Sequence, residues 1–289
     1  MTIFPNAKIN LGLNVTERRP DGYHNLETVF YPIPVCDTLR VEAGDDPDVM
    51  SVFPAGCPVH THRADSYTLH TGGIDIDCPA ESNLVIKVLR RLQQDFTLPH
   101  LTVSVCKQIP SGAGLGGGSA DAAFMMKLLN EQFRLGMSEA EMEERITPLG
   151  ADCAFFIRNR PTLATGIGNV FSPVSLSLKG WHLVLVKPDV FVSTREAYAG
   201  IRPHRAATPV AEAAARPVEE WRDALVNDFE LGIFALHPDI AAVKERLYEA
   251  GAVYAAMSGS GSAVFGLFRA PLPEAGNIFS ACFCRQYLL

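Results

Sequence analysis

Pro110-Ser111-Gly112-Ala113-Gly114-Leu115-Gly116-Gly117-Gly118-Ser119-Ala120 places five glycines in the seven positions 112–118. Without Cβ atoms such a loop can take positive φ and let an oxygen approach bare backbone amides. The run follows an apolar, β-rich segment, Leu101 to Ile109, and leads into a helical pattern from Ser119 to Phe133. Its N–H groups therefore converge at a helix N-terminus, where the macrodipole also favours an anion. Strand, glycine loop and helix in that order predict an α/β chain that binds phosphate.

Spacing separates the kinds of phosphate loop better than the glycine count does. No Gly-Lys followed by Ser or Thr occurs anywhere, so the lysine of a Walker A loop is missing. Gly112, Gly114 and Gly117 formally match the dinucleotide fingerprint, but its ribose-binding acid should end the next strand about 20 residues on. Asp152 lies further away and opens an apolar segment instead. A glycine-rich turn that merely packs helix against strand is the plain structural alternative.

At 289 residues the chain has room for about two domains and an opening between them. A hydrophobic content of 47% with 20% charged residues is ordinary globular composition, and the net charge of −7 argues against general nucleic-acid binding. Seven cysteines, at 36, 57, 78, 106, 153, 282 and 284, show no CxxC spacing and read as reduced thiols of a cytoplasmic protein. The N-terminal residues lack the pattern of a signal peptide, and no stretch is apolar enough to predict a membrane span.

Residues 7–15 alternate, with Ala7, Ile9, Leu11, Leu13 and Val15 on one face and Lys8, Asn10, Gly12 and Asn14 on the other. This is the pattern of a half-buried strand. Pro20-Asp21-Gly22 predicts a turn, with further strands over 23–33 and 38–42; residues 44–80 read as an irregular or hairpin insertion. Asn83 can cap a helix to about Gln94, and Ser138 with Glu141 marks a capping box. The segment 163–170 suggests a strand edge, and a domain boundary is placed there, giving a first domain over 1–165 that carries the glycine loop and a second domain over 166–289. In the second part a strand over 181–186, a linker over 202–217 and helices around 218–227 and 239–249 are expected. Two strands, 253–257 and 263–268, flank Ser258-Gly259-Ser260-Gly261-Ser262.

The polar-faced strand with Lys8, the glycine loop, Leu149-Gly150-Ala151-Asp152 and the Ser258–Ser262 turn together resemble the GHMP kinase superfamily. The segments AKINLGLNV, RPDGYHNLETVF, PSGAGLGGGSADA, LGADCAFFI, KPDVFVST, NDFE and MSGSGSAVF are most similar to its branch acting on a cytidine-diphosphate-linked methylerythritol. The resemblance spans most of the chain. It implies a two-domain α/β (α+β) fold, with an N-terminal ribosomal-protein-S5-like domain, a C-terminal ferredoxin-like domain and the active site in the cleft. It also implies transfer of the γ-phosphate of ATP to the 2-hydroxyl of that substrate in non-mevalonate isoprenoid synthesis. Magnesium would accompany the ATP, with no nucleic acid or membrane partner, in a monomer or weak homodimer.

By the same resemblance Asp152 is the candidate general base and Lys8 the ammonium that lowers the hydroxyl pKa and offsets phosphoryl charge. On spacing alone Asp152 could as well cap a helix over 153–157, and Lys8 could simply be solvated. Asn10 shares a face with Lys8 and matches a substrate-contacting position. Tyr23 and Phe191 would stack on the cytosine while His24 hydrogen-bonds its edge; otherwise such aromatics are core. Asn83 and Lys107 match positions near the adenine, or serve as an N-cap and a strand-end lysine. Pro110, Ser111, Gly112, Ala113, Gly114, Leu115, Gly116, Gly117 and Gly118 would wrap the triphosphate. Ser119 would meet phosphate or magnesium, or cap the helix.

Other readings share parts of this pattern: a kinase of the same superfamily acting on mevalonate, homoserine or a sugar, a non-catalytic nucleotide-binding protein, or a dinucleotide oxidoreductase. Cys57, His60, His62, His70 and Cys78 cluster in the 44–80 insertion, but their spacing fits no standard zinc motif and they read as loop.

Overall fold

The computed structural model describes residues 1–74 and 78–289. The chain divides into two units: Met1–Ala7, Val35–Ser111 and Gly116–Asn159 form the first, and Lys8–Pro34, Gly112–Leu115 and Arg160–Leu289 the second. The units interleave along the sequence, which a single cut near 165 does not describe. The physical reason is the length of the opening strands. After β1 (Thr2–Ile3), β2 (Asn6–Arg18) and β3 (His24–Cys36) run for 13 residues each, and most of both belongs to the second unit.

The first unit is built on β4 (Thr38–Ala43), β5 (Val59–Ala64), β6 (Tyr67–Gly73) and β7 (Leu101–Lys107), in the sheet order β1-β4-β7-β6-β5. Only β6 and β7 pair in parallel; the other pairings are antiparallel. Flanked on both sides, β7 is buried along its whole length, polar residues included. The insertion thus resolves into a hairpin that extends the sheet. Its register sets His70 opposite Thr61, so His60 and His62 fall on the other face, and among the described residues no group of His, Cys, Asp and Glu could hold a metal.

α1 (Leu84–Leu92) starts where Asn83 Oδ1 accepts the Val85 N–H at 3.1 Å. α2 (Gly117–Gln132) buries residues around most of its circumference, as its unbroken apolar run requires, and touches both α1 and α4. α3 (Glu139–Ile146) begins with the complete Ser138–Glu141 capping box. α4 spans Phe155–Arg158 with Ala154 at its N-cap, so Asp152 lies outside the helix and does not cap it.

In the second unit β8 (Thr162–Thr165) and β9 (Val170–Pro173) extend the β2-β3 pair into one four-stranded sheet. The other sheet uses β10 (His182–Lys187), followed by α5 (Thr194–Ala199), α6 (Val210–Ala214), α7 (Trp221–Ala224), α8 (Phe229–Leu236) and α9 (Pro238–Glu249). β11 (Tyr254–Met257), β12 (Val264–Phe268), α10 (Ala275–Ile278) and β13 (Phe283–Leu288) complete it in the antiparallel order β11-β12-β10-β13. Val184, Val186, Phe229, Ile233, Val243, Leu247, Met257 and Val264 share one core. The expected linker over 202–217 contains α6, whose Val210, Ala213 and Ala214 are buried. None of the seven cysteines forms a disulfide, and among the described residues no helix is long and apolar enough to cross a membrane.

Candidate active site

In the second unit the loop residues Gly112–Leu115 are held by their carbonyls. Ala113 O accepts the Ala263 N–H at 3.2 Å and Leu115 O accepts the Lys8 N–H at 3.0 Å. Between them, Gly114 O accepts from Lys8 Nζ at 3.0 Å and from Ser258 Oγ at 2.9 Å. Among the described residues no backbone N–H of 112–118 donates to a protein acceptor in the turns and loops, and those of 117 and 118 are the unsatisfied first donors of α2. Fastening the carbonyls leaves the donors for a ligand. Gly114 is required here: its φ is +73°, and a Cβ would stand 1.9 Å from Ser258 O.

Lys8 and Asn10 are each only 3% exposed despite lying on the polar face of β2. Lys8 Nζ donates to Asn10 Oδ1 at 2.5 Å and stands 4.8 Å from the centre of the Phe30 ring. Asn10 Nδ2 in turn donates to Thr28 Oγ1 at 3.1 Å, and the Asn10 N–H donates to Ser258 Oγ at 3.3 Å. The two residues expected to share a face therefore share one network with the loop and with Ser258.

The Ser258 turn has its own supports. Asn227 Nδ2 donates to Met257 O and Gly259 O, both at 2.8 Å, while Glu230 Oε1 accepts the Met257 N–H at 2.8 Å. Lys244 compensates the Glu230 charge at 2.6 Å. Buried polar groups on this turn are thus paired, as their burial demands.

In the first unit Ser119 sits in the first turn of α2, two residues inside a helix whose N-cap is Gly116. The 150–153 turn, which carries the half-buried Asp152, approaches Ser119 at position 150: a Cβ at Gly150 would lie 3.0 Å from Cys153 Sγ and 3.8 Å from Ser119 Oγ. Burial pushes the Cys153 thiol up to about 11, against the opposing hydrogen bond from Ser119, so this cysteine is not a nucleophile. Asn83 keeps its capping role.

Lys107, expected near the adenine, is held in an ion-paired cluster. It is 4% exposed, and its ammonium is taken by Asp37 Oδ2 and by Asp121 Oδ2, the latter at 2.6 Å. Burial drives the lysine pKa down, but Asp121 and Asp37 outweigh it and the net direction is up. Two buried carboxylates thus occupy the group that was expected to reach nucleotide.

The two aromatics expected at the cytosine are both exposed. Tyr23 is 61% exposed, and Phe191, 71% exposed, lies against Gly112, where a Cβ would be 2.7 Å from its ring. Tyr198 stacks with His24, with ring centres 4.8 Å apart and planes at 24°. Phe229 braces Tyr198 edge-on at 4.8 Å.

A model of the GHMP kinases N terminal domain matches residues 83–160, and one of the GHMP kinases C terminal region matches 210–287. A 4-diphosphocytidyl-2-C-methyl-D-erythritol kinase of Bacteroides fragilis is 54% identical over 286 residues, covering 99% of this chain and 98% of the relative. The chain belongs to the 4-diphosphocytidyl-2-C-methyl-D-erythritol kinase family of GHMP kinases. A crystal structure of a 4-(cytidine 5'-diphospho)-2C-methyl-D-erythritol kinase superposes with a TM-score of 0.78 at 30% identity, covering 99% of this chain and 98% of that one. The Methanococcus jannaschii mevalonate kinase shares the fold at a TM-score of 0.64 and 12% identity, covering 99% and 96%.

Sequence reasoning missed three residues that shape this GHMP kinase: Asp37, Asp121 and Tyr198. Asp37 falls between two strands and Asp121 inside an apolar helix, so each was an acidic residue in a place that demands a partner. Tyr198 is ten positions from Pro188 and belongs to no local pattern.

Proposed function

We propose that this GHMP kinase transfers the γ-phosphoryl group of ATP to the 2-hydroxyl of 4-(cytidine 5'-diphospho)-2-C-methyl-D-erythritol. The observation that carries the reading is the loop 112–118, with its carbonyls tied back by Lys8, Ser258 and Ala263 and its N–H groups open at a helix start. Such donors suit a triphosphate. Kinship to enzymes named for this substrate supports the acceptor.

The assigned roles are few, because phosphoryl transfer is mostly positioning and charge stabilisation. Asp152 accepts the proton of the 2-hydroxyl as its oxygen attacks the γ-phosphorus and the bond to the bridging oxygen of ADP breaks. Lys8 stabilises the negative charge that develops, with Asn10 fixing its ammonium. Tyr23 and Phe191, both exposed, offer their rings to the cytosine, and His24, held by stacking on Tyr198, offers a hydrogen-bonding edge. Ser119 and Asp152 are hard oxygen donors of the kind magnesium takes, and position 150 brings Ser119 near the turn that carries Asp152. Bound magnesium neutralises phosphate charge.

Purified protein with ATP, Mg²⁺ and the cytidylated substrate should release ADP in a substrate-dependent manner. Asp152→Asn should lower kcat by about 10² or more. Equal turnover in that variant removes Asp152 from the role. CMP and CDP should compete with the acceptor; if they do not, and homoserine or mevalonate is phosphorylated instead, the acceptor assignment fails.

A further inference from the structure

The glycine-rich run has two stems, the end of β7 and the start of α2, and the first unit joins both to one buried group. Asp37 Oδ1 accepts the N–H groups of Gln108 at 2.5 Å and Ile109 at 2.8 Å, the last two residues before Pro110. Its other oxygen takes Lys107, and Lys107 reaches across to Asp121 on α2. Gly117, the first residue of α2, lies directly on this assembly: a Cβ there would stand 2.9 Å from Ile109 Cγ2 and 3.4 Å from Lys107 Nζ. Asp37, Lys107 and Asp121 are all buried. A cation shared by two anions at such depth is costly to desolvate, so it serves poorly as a source of stability and well as a device that fixes geometry.

We infer that Lys107, Asp37 and Asp121 are positioning residues that set the separation of the two loop stems, and that Lys107 acts on nucleotide binding only through this clamp. The inference rests on the reading of 112–118 as the seat of the triphosphate. It differs from a direct contact in what happens when the lysine and one carboxylate are removed together. Lys107→Met alone strands two buried carboxylates, whereas Lys107→Met with Asp121→Met exchanges a buried ion pair for an apolar one and leaves Asp37 its two backbone donors.

The test is steady-state kinetics with both substrates varied, on wild type, the single and double variants, and Gly114→Ala as a loop control, with folding checked by thermal melting. The clamp predicts that Lys107→Met raises KM for ATP about tenfold or more while KM for the alcohol is little changed, and that the double variant returns KM for ATP to within about threefold of wild type. If the single variant does not fold, the double variant alone decides. A folded double variant still impaired about tenfold toward ATP means that the lysine touches nucleotide, and overturns the inference. Should Gly114→Ala raise KM for ATP while Lys107→Met does not, the clamp fails and the loop reading stands. Should neither change it, both fall.

Discussion

Asp121 gives the sharpest pH experiment on this protein. Burial raises its carboxyl, against the attraction of Lys107 and with the repulsion of Asp37, from 3.8 to about 7. An acid whose folded pKa is raised binds its proton more tightly when folded. Its stabilising contribution is therefore complete below pH 3.8 and is lost as pH rises through 7. Over each pH unit in which the folded chain holds this proton and the unfolded chain has released it, stability falls by about 1.36 kcal/mol. Between pH 5 and pH 8 this one group therefore removes a few kcal/mol of stability, on the order of 1–4. Asp121→Asn keeps the shape and the bond to Lys107 but has no proton to lose. Urea unfolding of wild type and variant at pH 5, 6, 7 and 8, compared pairwise, cancels the titrations the two share. Wild type should lose on the order of 1–4 kcal/mol relative to the variant over that range. A difference constant to within about 0.5 kcal/mol, or one of opposite sign, refutes the account of the triad's charge.

Further outcomes follow from individual contacts. Phe191→Ala should raise KM for the cytidylated substrate by about 5- to 100-fold, in line with aromatic–base stacking, while KM for ATP changes little; steady-state kinetics checks this, and an unchanged KM for the cytidylated substrate removes Phe191 from the base. Ser258→Ala deletes the 2.9 Å bond to Gly114 O and should weaken ATP binding by about 0.5–1.5 kcal/mol, measured by calorimetry with an ATP analogue. Asn227→Ala strands the carbonyls of Met257 and Gly259, so a loss of about 1–3 kcal/mol in denaturant unfolding is expected for each carbonyl left unpaired.

What local sequence carried, it carried well. The alternation of residues 7–15, the Asn83 cap, the Ser138–Glu141 box and the glycine run each encode their geometry within a few residues, and β2, α1, α3 and α2 stand where those signals put them. The apolar segment of α8 and the short β13 lacked such punctuation and passed unread. Likewise the strand pattern put Lys8 and Asn10 on one face. What the pattern could not give was their burial, which requires Phe30, Gly114 and Ser258 to arrive from elsewhere in the chain.

By itself the sequence determined the order of elements, the glycine-rich turn of 112–118 and, through its kinship, the family. Tertiary structure alone decided which charges are spent on each other and which rings meet. Lys107 reads as a free cation at a strand end until Asp37, 70 residues away, and Asp121 close on it. Tyr198 reads as a helix residue until His24 lies over it. Helix, strand and turn propensities act over a handful of residues, whereas desolvation and pairing of a buried group depend on every segment that packs around it.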